Sequence, residues 1–193
     1  MDIKTLVAIV SAAIALVSAA VSAFFSYQSL RRARLDQVFK AIDTRERYFG
    51  RLQSWSDEVL GLMAHAVHLC DLDPKKLPPG EFFMKRHDLR VRLSAMIDKG
   101  RWFFPNVDYE THGTHKEEAF RGYRQSVLNS IMWAYRALEV MDYTDQQKNI
   151  QRRIELVSDQ RLFTSEIQKV LDPRKQEQEF ASMMESVGTF HKG

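Results

Sequence analysis

The first hydrophobic stretch of the chain is also its longest. Leu6–Phe25 reads LVAIVSAAIALVSAAVSAFF, with no charge and no helix breaker. A helix rises about 1.5 Å per residue, so this stretch is roughly 30 Å long, the thickness of a bilayer core. Beyond it the pattern turns amphipathic. Leu35, Val38, Ile42, Phe49 and Leu52 recur at helical spacings, and Val59, Leu62, Met63, Ala66, Val67 and Leu69 continue after them. This predicts a single bent helix running from the span to about Leu72, a stalk for the rest of the chain. Residues 71–80, DLDPKKLPPG, hold three prolines and a glycine and must break it.

A second helix is predicted from about Glu81 to Lys99, with Phe82, Leu89, Leu93, Met96 and Ile97 on its apolar face and Gly100 as a left-handed cap. Gly100-Arg101-Trp102-Phe103-Phe104-Pro105-Asn106 follows, three consecutive aromatics without helical period. Thr114 with Glu117 forms a capping box for a third helix. Its face is Phe120, Tyr123, Val127, Ile131, Ala134, Leu138 and Met141, and Tyr143 closes it. Thr144 with Gln147 is a second capping box. Ile150, Ile154 and Val157 start the next helix, and Phe163, Ile167 and Val170 continue it out of phase, which predicts a bend near Ser158 or a break before Thr164. Pro173 stops it. A short last helix spans Gln176 to Val187, weakly amphipathic through Phe180, Met183, Met184 and Val187. No stretch reads as a strand. The expected fold is all-α: an N-terminal transmembrane helix in residues 1–30, continuing into a cytoplasmic up-down helical bundle in residues 31–193.

The span also has the look of a secretion signal, because Val21-Ser22-Ala23 resembles a small-x-small cleavage site. An anchor that stays in the protein is favoured. The apolar run exceeds a usual signal core, Met1-Asp2-Ile3-Lys4 balances one acid against one base, and the helical pattern runs on through Tyr27, Leu30 and Leu35. Arg31, Arg32 and Arg34 follow the span and only Lys4 precedes it, so the bulk of the chain is expected on the cytoplasmic side of the inner membrane. The single cysteine, Cys70, rules out an intrachain disulfide framework.

Charge adds little to this picture. The net charge of +3 over 193 residues is mild, and the arginines after the span account for much of it. Anionic lipid headgroups explain them better than nucleic acid does. Within the span, Ser11, Ala15, Ser18, Ser22, Ser26 and Ser29 share one face. Small residues let helices approach closely in lipid and serines bond across the contact, so Ser11, Ala15, Ser18 and Ser22 are the candidate oligomer or pore seam. Hydroxyls bonding back to their own helix are the plainer alternative.

Candidate chemistry is sparse. Arg101, Trp102, Phe103 and Phe104 either plug the end of the bundle or contact a partner. His65 and His68, and His112 and His115, sit three apart, yet neither pair has the ligand pattern of an established metal site. No P-loop, GxGxxG or GxSxG occurs, and no cofactor is called for. The Lys85–Arg92 segment is basic and offers a surface for RNA or an acidic protein partner.

The layout of span, basic stalk, helical bundle and Gly100–Asn106 aromatic turn resembles a broad set of bacterial single-pass proteins of unknown role. Among them it is similar to the membrane accessory proteins of type VI-B CRISPR systems. That resemblance implies an oligomeric, pore-like membrane assembly with a degenerate HEPN-like bundle, acting in antiviral defence. It carries no site residue over. HEPN ribonucleases carry an arginine, four to six intervening residues and then a histidine, and no histidine here has an arginine at that distance upstream. A membrane-anchored, non-enzymatic homo-oligomer or scaffold is therefore the expected function, and a membrane-tethered binding module is the alternative.

Overall fold

Glycine and proline are confined to a few places, and between them the chain is helical. The computed structural model describes residues 2–142 and 144–188, giving the backbone alone for residues 8 and 183–188. The expectations placed on Tyr143 and on the side chains of Met183, Met184 and Val187 lie outside the described residues. The fold is all-α. Helices α1 (Ile3–Leu69), α2 (Glu81–Gly100), α3 (Ser126–Glu139), α4 (Asn149–Leu171) and α5 (Pro173–Gly188) follow in order. Among the described residues the only β pairing is an isolated bridge between Val107 and Tyr123.

The chain divides into two compact units. One comprises the residues up to Arg47 together with those from Glu177 onward, and the other runs Tyr48–Gln176. In the first unit, α1 carries no charged residue through the Leu6–Phe25 stretch. This part of the helix is long and apolar enough to cross a membrane, with mean hydropathy 2.4 over eighteen residues and none of them buried. A helix that is hydrophobic all round needs lipid or other helices about it. Further along, Leu35, Val38 and Ile42 are half-buried, Arg47 pairs with Asp43 one turn back, and Arg45 pairs with Glu179.

The second unit holds the core. Its face of α1 is Leu52, Trp55, Val59, Leu62, Met63 and Ala66. α2 supplies Phe82, Leu89, Leu93, Met96 and Ile97, α3 supplies Val127, Leu128, Ile131, Ala134 and Leu138, and α4 supplies Leu156, Phe163 and Ile167. The α2 face is the one its spacing predicts. Turn chemistry sets the connections. Asp73 caps a single 3-10 turn at Pro74–Lys76 by accepting the Lys75 N–H at 3.0 Å, and Gly80 takes φ 80° just before α2. Asp71 ties this connection to α4, accepting Arg153 Nε at 2.9 Å on its carboxylate, and to the 3-10 turn ahead of α4, accepting Gln146 Nε2 at 2.8 Å on its carbonyl.

Four expectations need correction. First, the helix predicted from Thr114 begins only at Ser126. Residues 101–125 form a long loop that leaves Phe120 and Tyr123 exposed, because Gly122 at φ 80° cannot sit in a right-handed helix and Tyr123 pairs with Val107. Second, Gly100 is the last residue of α2 and not a left-handed cap. Third, α4 runs unbroken from Asn149 to Leu171, and its buried positions are Asn149, Leu156, Phe163 and Ile167, with Ile150 and Ile154 exposed. The two phases read from the sequence mix core positions with solvent positions. Fourth, the turn ahead of α4 is capped by Asp145, which accepts the Gln147 N–H at 3.0 Å. Thr144 instead donates its N–H and hydroxyl to Asp142. Pro173 ends α4 and opens α5, where a proline fits the first helical position, and Asp172 accepts the Arg174 N–H ahead of it.

Candidate functional site

The aromatic turn is built from the glycine before it. A Cβ on Gly100 would lie 2.4 Å from Leu128 Cδ2 and 2.6 Å from Trp55 Cζ2, so only glycine lets α2 approach the indole this closely. Trp55 is fixed from the same side, its Nε1–H donating to the Met96 carbonyl at 3.1 Å. The chain then turns tightly. The N–H groups of Phe103 and Phe104 both donate to the Gly100 carbonyl, at 3.0 and 2.8 Å, and that of Trp102 donates to Lys99 at 3.1 Å.

This turn sorts the three aromatics. Phe104 is buried at 7% exposure with its ring 5.8 Å from Trp55. Phe103 is half-buried between Trp55 at 5.7 Å and Tyr48 at 5.8 Å, and the Tyr48 hydroxyl donates to its carbonyl at 3.5 Å. Phe163 of α4 closes the cluster, 5.7 Å from Trp55. Trp102 points outward at 78% exposure. Arg101 faces inward. Its Nη1 donates to Asn106 Oδ1 at 3.2 Å and to the Ala119 carbonyl, its Nε lies 3.5 Å from Asp98, and its guanidinium covers Phe120 at 4.6 Å. Of the four residues nominated from sequence, Phe104 and Arg101 hold the fold together, and Trp102 is the one offered to solvent.

Beneath Trp102 lies an open groove of about 420 Å³, lined by Tyr48, Arg51, Trp55, Lys99, Trp102 and Phe103, with Ser54 and Glu58 at its side. It falls wholly within the Tyr48–Gln176 unit. The lining brings four aromatic rings together with the side chains of Arg51 and Lys99. Glu58, the one carboxylate among the described lining residues, faces Arg92 at 3.9 Å. Sequence reading missed the contribution of α1 to this site. Tyr48, Arg51 and Trp55 carry a helical spacing, but nothing in the sequence says that α2 ends beside them.

The loop after the turn is clasped shut. Val107 and Tyr123 exchange backbone hydrogen bonds at 3.0 and 2.8 Å, Asn106 Nδ2 donates to the Arg121 carbonyl at 2.7 Å, and Gln125 Nε2 donates to that of Pro105 at 2.7 Å. A Cβ on Gly122 would meet the Val107 carbonyl oxygen at 2.1 Å. His112 is stacked on Tyr123 with ring centres 4.0 Å apart.

The other candidates resolve differently. His65 and His68 line a second open groove of about 390 Å³ with Lys85, Asp88 and Arg92, and His68 Nδ1 lies 3.7 Å from Asp71. No group of three His, Cys, Asp or Glu residues is arranged to hold a metal among the described residues. Of the α2 cations, Arg86 and Arg90 are turned to packing, while Lys85, Arg92 and Lys99 line the grooves. Arg86 Nη1 donates to the Met141 carbonyl at 2.9 Å, and Arg90 covers Tyr135 while donating to its hydroxyl and to Glu139. Cys70 is buried, and burial pushes its thiol up to about 11, with Asp71 adding to the shift. Burial, reinforced by Glu155, pushes the Asp159 carboxyl up to about 6. Asp142 is held well below the usual carboxylate range by the Thr144 hydroxyl and N–H and by Lys148.

In the span, Ser11, Ala15, Ser18 and Ser22 are exposed along α1, and so are Arg31, Arg32 and Arg34 beyond it. Ser29 donates its hydroxyl back to the Ser26 carbonyl at 2.9 Å. Compared with protein-family models, curated proteins and solved structures, the chain matches none.

Proposed function

We propose that this chain is a membrane-anchored scaffold that works as an oligomer, without catalysis of its own. One observation carries the reading: the Leu6–Phe25 part of α1 is uncharged and predominantly apolar, and none of its described side chains is buried. Exposed apolar surface of this extent asks for lipid and for other copies. Ser11, Ala15, Ser18 and Ser22 then form the seam between copies, where small side chains permit close approach. Arg31, Arg32 and Arg34 rest at the headgroups of the cytoplasmic leaflet and keep the Tyr48–Gln176 unit on that side. In that unit α1 to α4 run as an up-down bundle. A pore at the centre of the assembly and a place beside a bacterial defence system belong to the same proposal and rest on the layout alone.

Two measurements test anchoring and orientation. The protein is expected to resist alkaline extraction from bacterial inner membranes. Protease added to inverted vesicles is expected to reach the 101–125 loop, whereas protease added to intact spheroplasts is not. Release by alkali, or cleavage in spheroplasts, contradicts the proposal.

A further inference from the structure

Between the apolar stretch and the folded core, α1 has a single packed face. Among residues 26–47, Gln28, Leu35, Val38, Ile42 and Arg45 are half-buried and every other residue is exposed. Their spacings of seven, three, four and three are those of a coiled-coil seam, positions a and d of a heptad. A lone helix would leave this face as open as the others. The unit that holds these residues has one other part, the chain from Glu177 onward. α5 therefore supplies the cover, and Arg45 pairs with Glu179 where the two meet.

The cover is thin. The paired side chains keep 30% and 55% of their exposure, and an exposed ion pair holds weakly. Phe180, beside Glu179, is itself 48% exposed. Leu35, Val38 and Ile42 stay only half-buried, so apolar surface at heptad spacing is left for a better partner.

We infer that α5 is a strap over this seam, and that a second copy of the chain takes its place, Leu35, Val38 and Ile42 of one stalk packing against those of the other. A seam of this period is matched by another helix of the same period lying alongside. Three apolar layers are few for free chains to pair through. Copies already joined by their spans hold the stalks parallel at high effective concentration. Arg45, at the far end of the seam, is long enough to turn its charge to water in such a pair. The inference rests on the scaffold proposal for the nearness of copies. It adds a control: stalks are apart with the strap on and together with it off.

The test uses Ile42→Cys in the full chain. The native Cys70 is buried, and the wild-type chain is the blank. Labelling by a water-soluble maleimide, on single chains diluted into excess detergent, reads strap opening. Copper-catalysed crosslinking in bacterial inner membranes reads contact with a second copy. Both rates are expected to rise about threefold or more with Glu179→Arg, and further when residues 177–193 are deleted. Combining Arg45→Glu with Glu179→Arg restores an ion pair and is expected to return both rates to the starting values. Thermal melting checks that each variant is folded.

Labelling unchanged by Glu179→Arg and by the deletion overturns the inference, as does labelling that rises while crosslinking does not. A charge-exchanged chain that stays as fast as Glu179→Arg alone overturns it too. Crosslinking at Ser22→Cys, in the span, separates the two proposals. If it occurs while the Ile42→Cys rates ignore α5, the scaffold stands and the strap falls. If it is absent, the scaffold falls and takes the second copy with it.

Discussion

The indole of Trp55 occupies the space that a side chain at position 100 would need, with Cζ2 2.6 Å from an ideal Gly100 Cβ. Gly100 is thus a packing residue. It lets the end of α2 close on the one ring that Phe103, Phe104 and Phe163 all touch.

Two glycines of this chain are expected to respond to alanine with opposite sign. Gly100→Ala forces the Cβ into Trp55 and Leu128 and is expected to destabilise the protein by about 1–3 kcal/mol. Gly61, in the exposed middle of α1, has nothing within 4 Å of its would-be Cβ. Gly61→Ala is expected to stabilise by about 0.5–1 kcal/mol through helix propensity. Urea denaturation followed by circular dichroism measures both. Equal effects would mean that the contact between α2 and Trp55 is not as described.

The consecutive aromatics are expected to separate in the same way. Phe104→Ala removes a buried ring beside Trp55 and is expected to cost about 3–5 kcal/mol. Trp102→Ala changes an exposed position and is expected to stay within roughly 0.5 kcal/mol of wild type. Calorimetric melting of the two variants checks the pair.

Part of this was legible in the sequence. Phe82, Leu89, Leu93, Met96 and Ile97 announce the buried face of α2 by spacing alone, and DLDPKKLPPG announces its own turn. The 114–125 segment misleads because Thr114 with Glu117 imitates a helix start, and Phe120 and Tyr123 fall in phase with Val127. What defeats the helix is the backbone of Gly122 and its closeness to Val107, a partner fifteen residues away. The groove is harder still to read. Tyr48 and Trp55 on α1 meet Lys99 and Trp102 only after the helices pack, and no local pattern encodes that meeting.

Stability is expected to depend on pH through Asp159. Its carboxyl is raised to about 6 by burial and by Glu155, while the unfolded chain titrates near the ordinary value of about 4. Between these values the folded state binds more protons than the unfolded one. Its contribution is therefore full below about pH 4 and is lost as pH rises through about 6. Asp159→Asn is expected to flatten that slope and, for a group that keeps partial solvent contact, to stabilise the protein at about pH 8 by on the order of 1 kcal/mol. Asp142 works in the opposite sense. Its depressed carboxyl contributes stability that is present above about pH 4 and lost as pH falls below that. Urea midpoints across the acid range, for wild type and for Asp159→Asn, separate the two groups. An unchanged slope in the variant would remove Asp159 from the account.

The central claim is an assembly made through the span. Native mass measurement of the full chain in mild detergent tests it most directly, comparing wild type with a Ser18→Leu, Ser22→Leu double variant. The account predicts a defined oligomer for the wild type, and monomers for the variant with the melting temperature of the Tyr48–Gln176 unit unchanged. A wild-type protein that is strictly monomeric, or an oligomer unaltered by the two leucines, would contradict it.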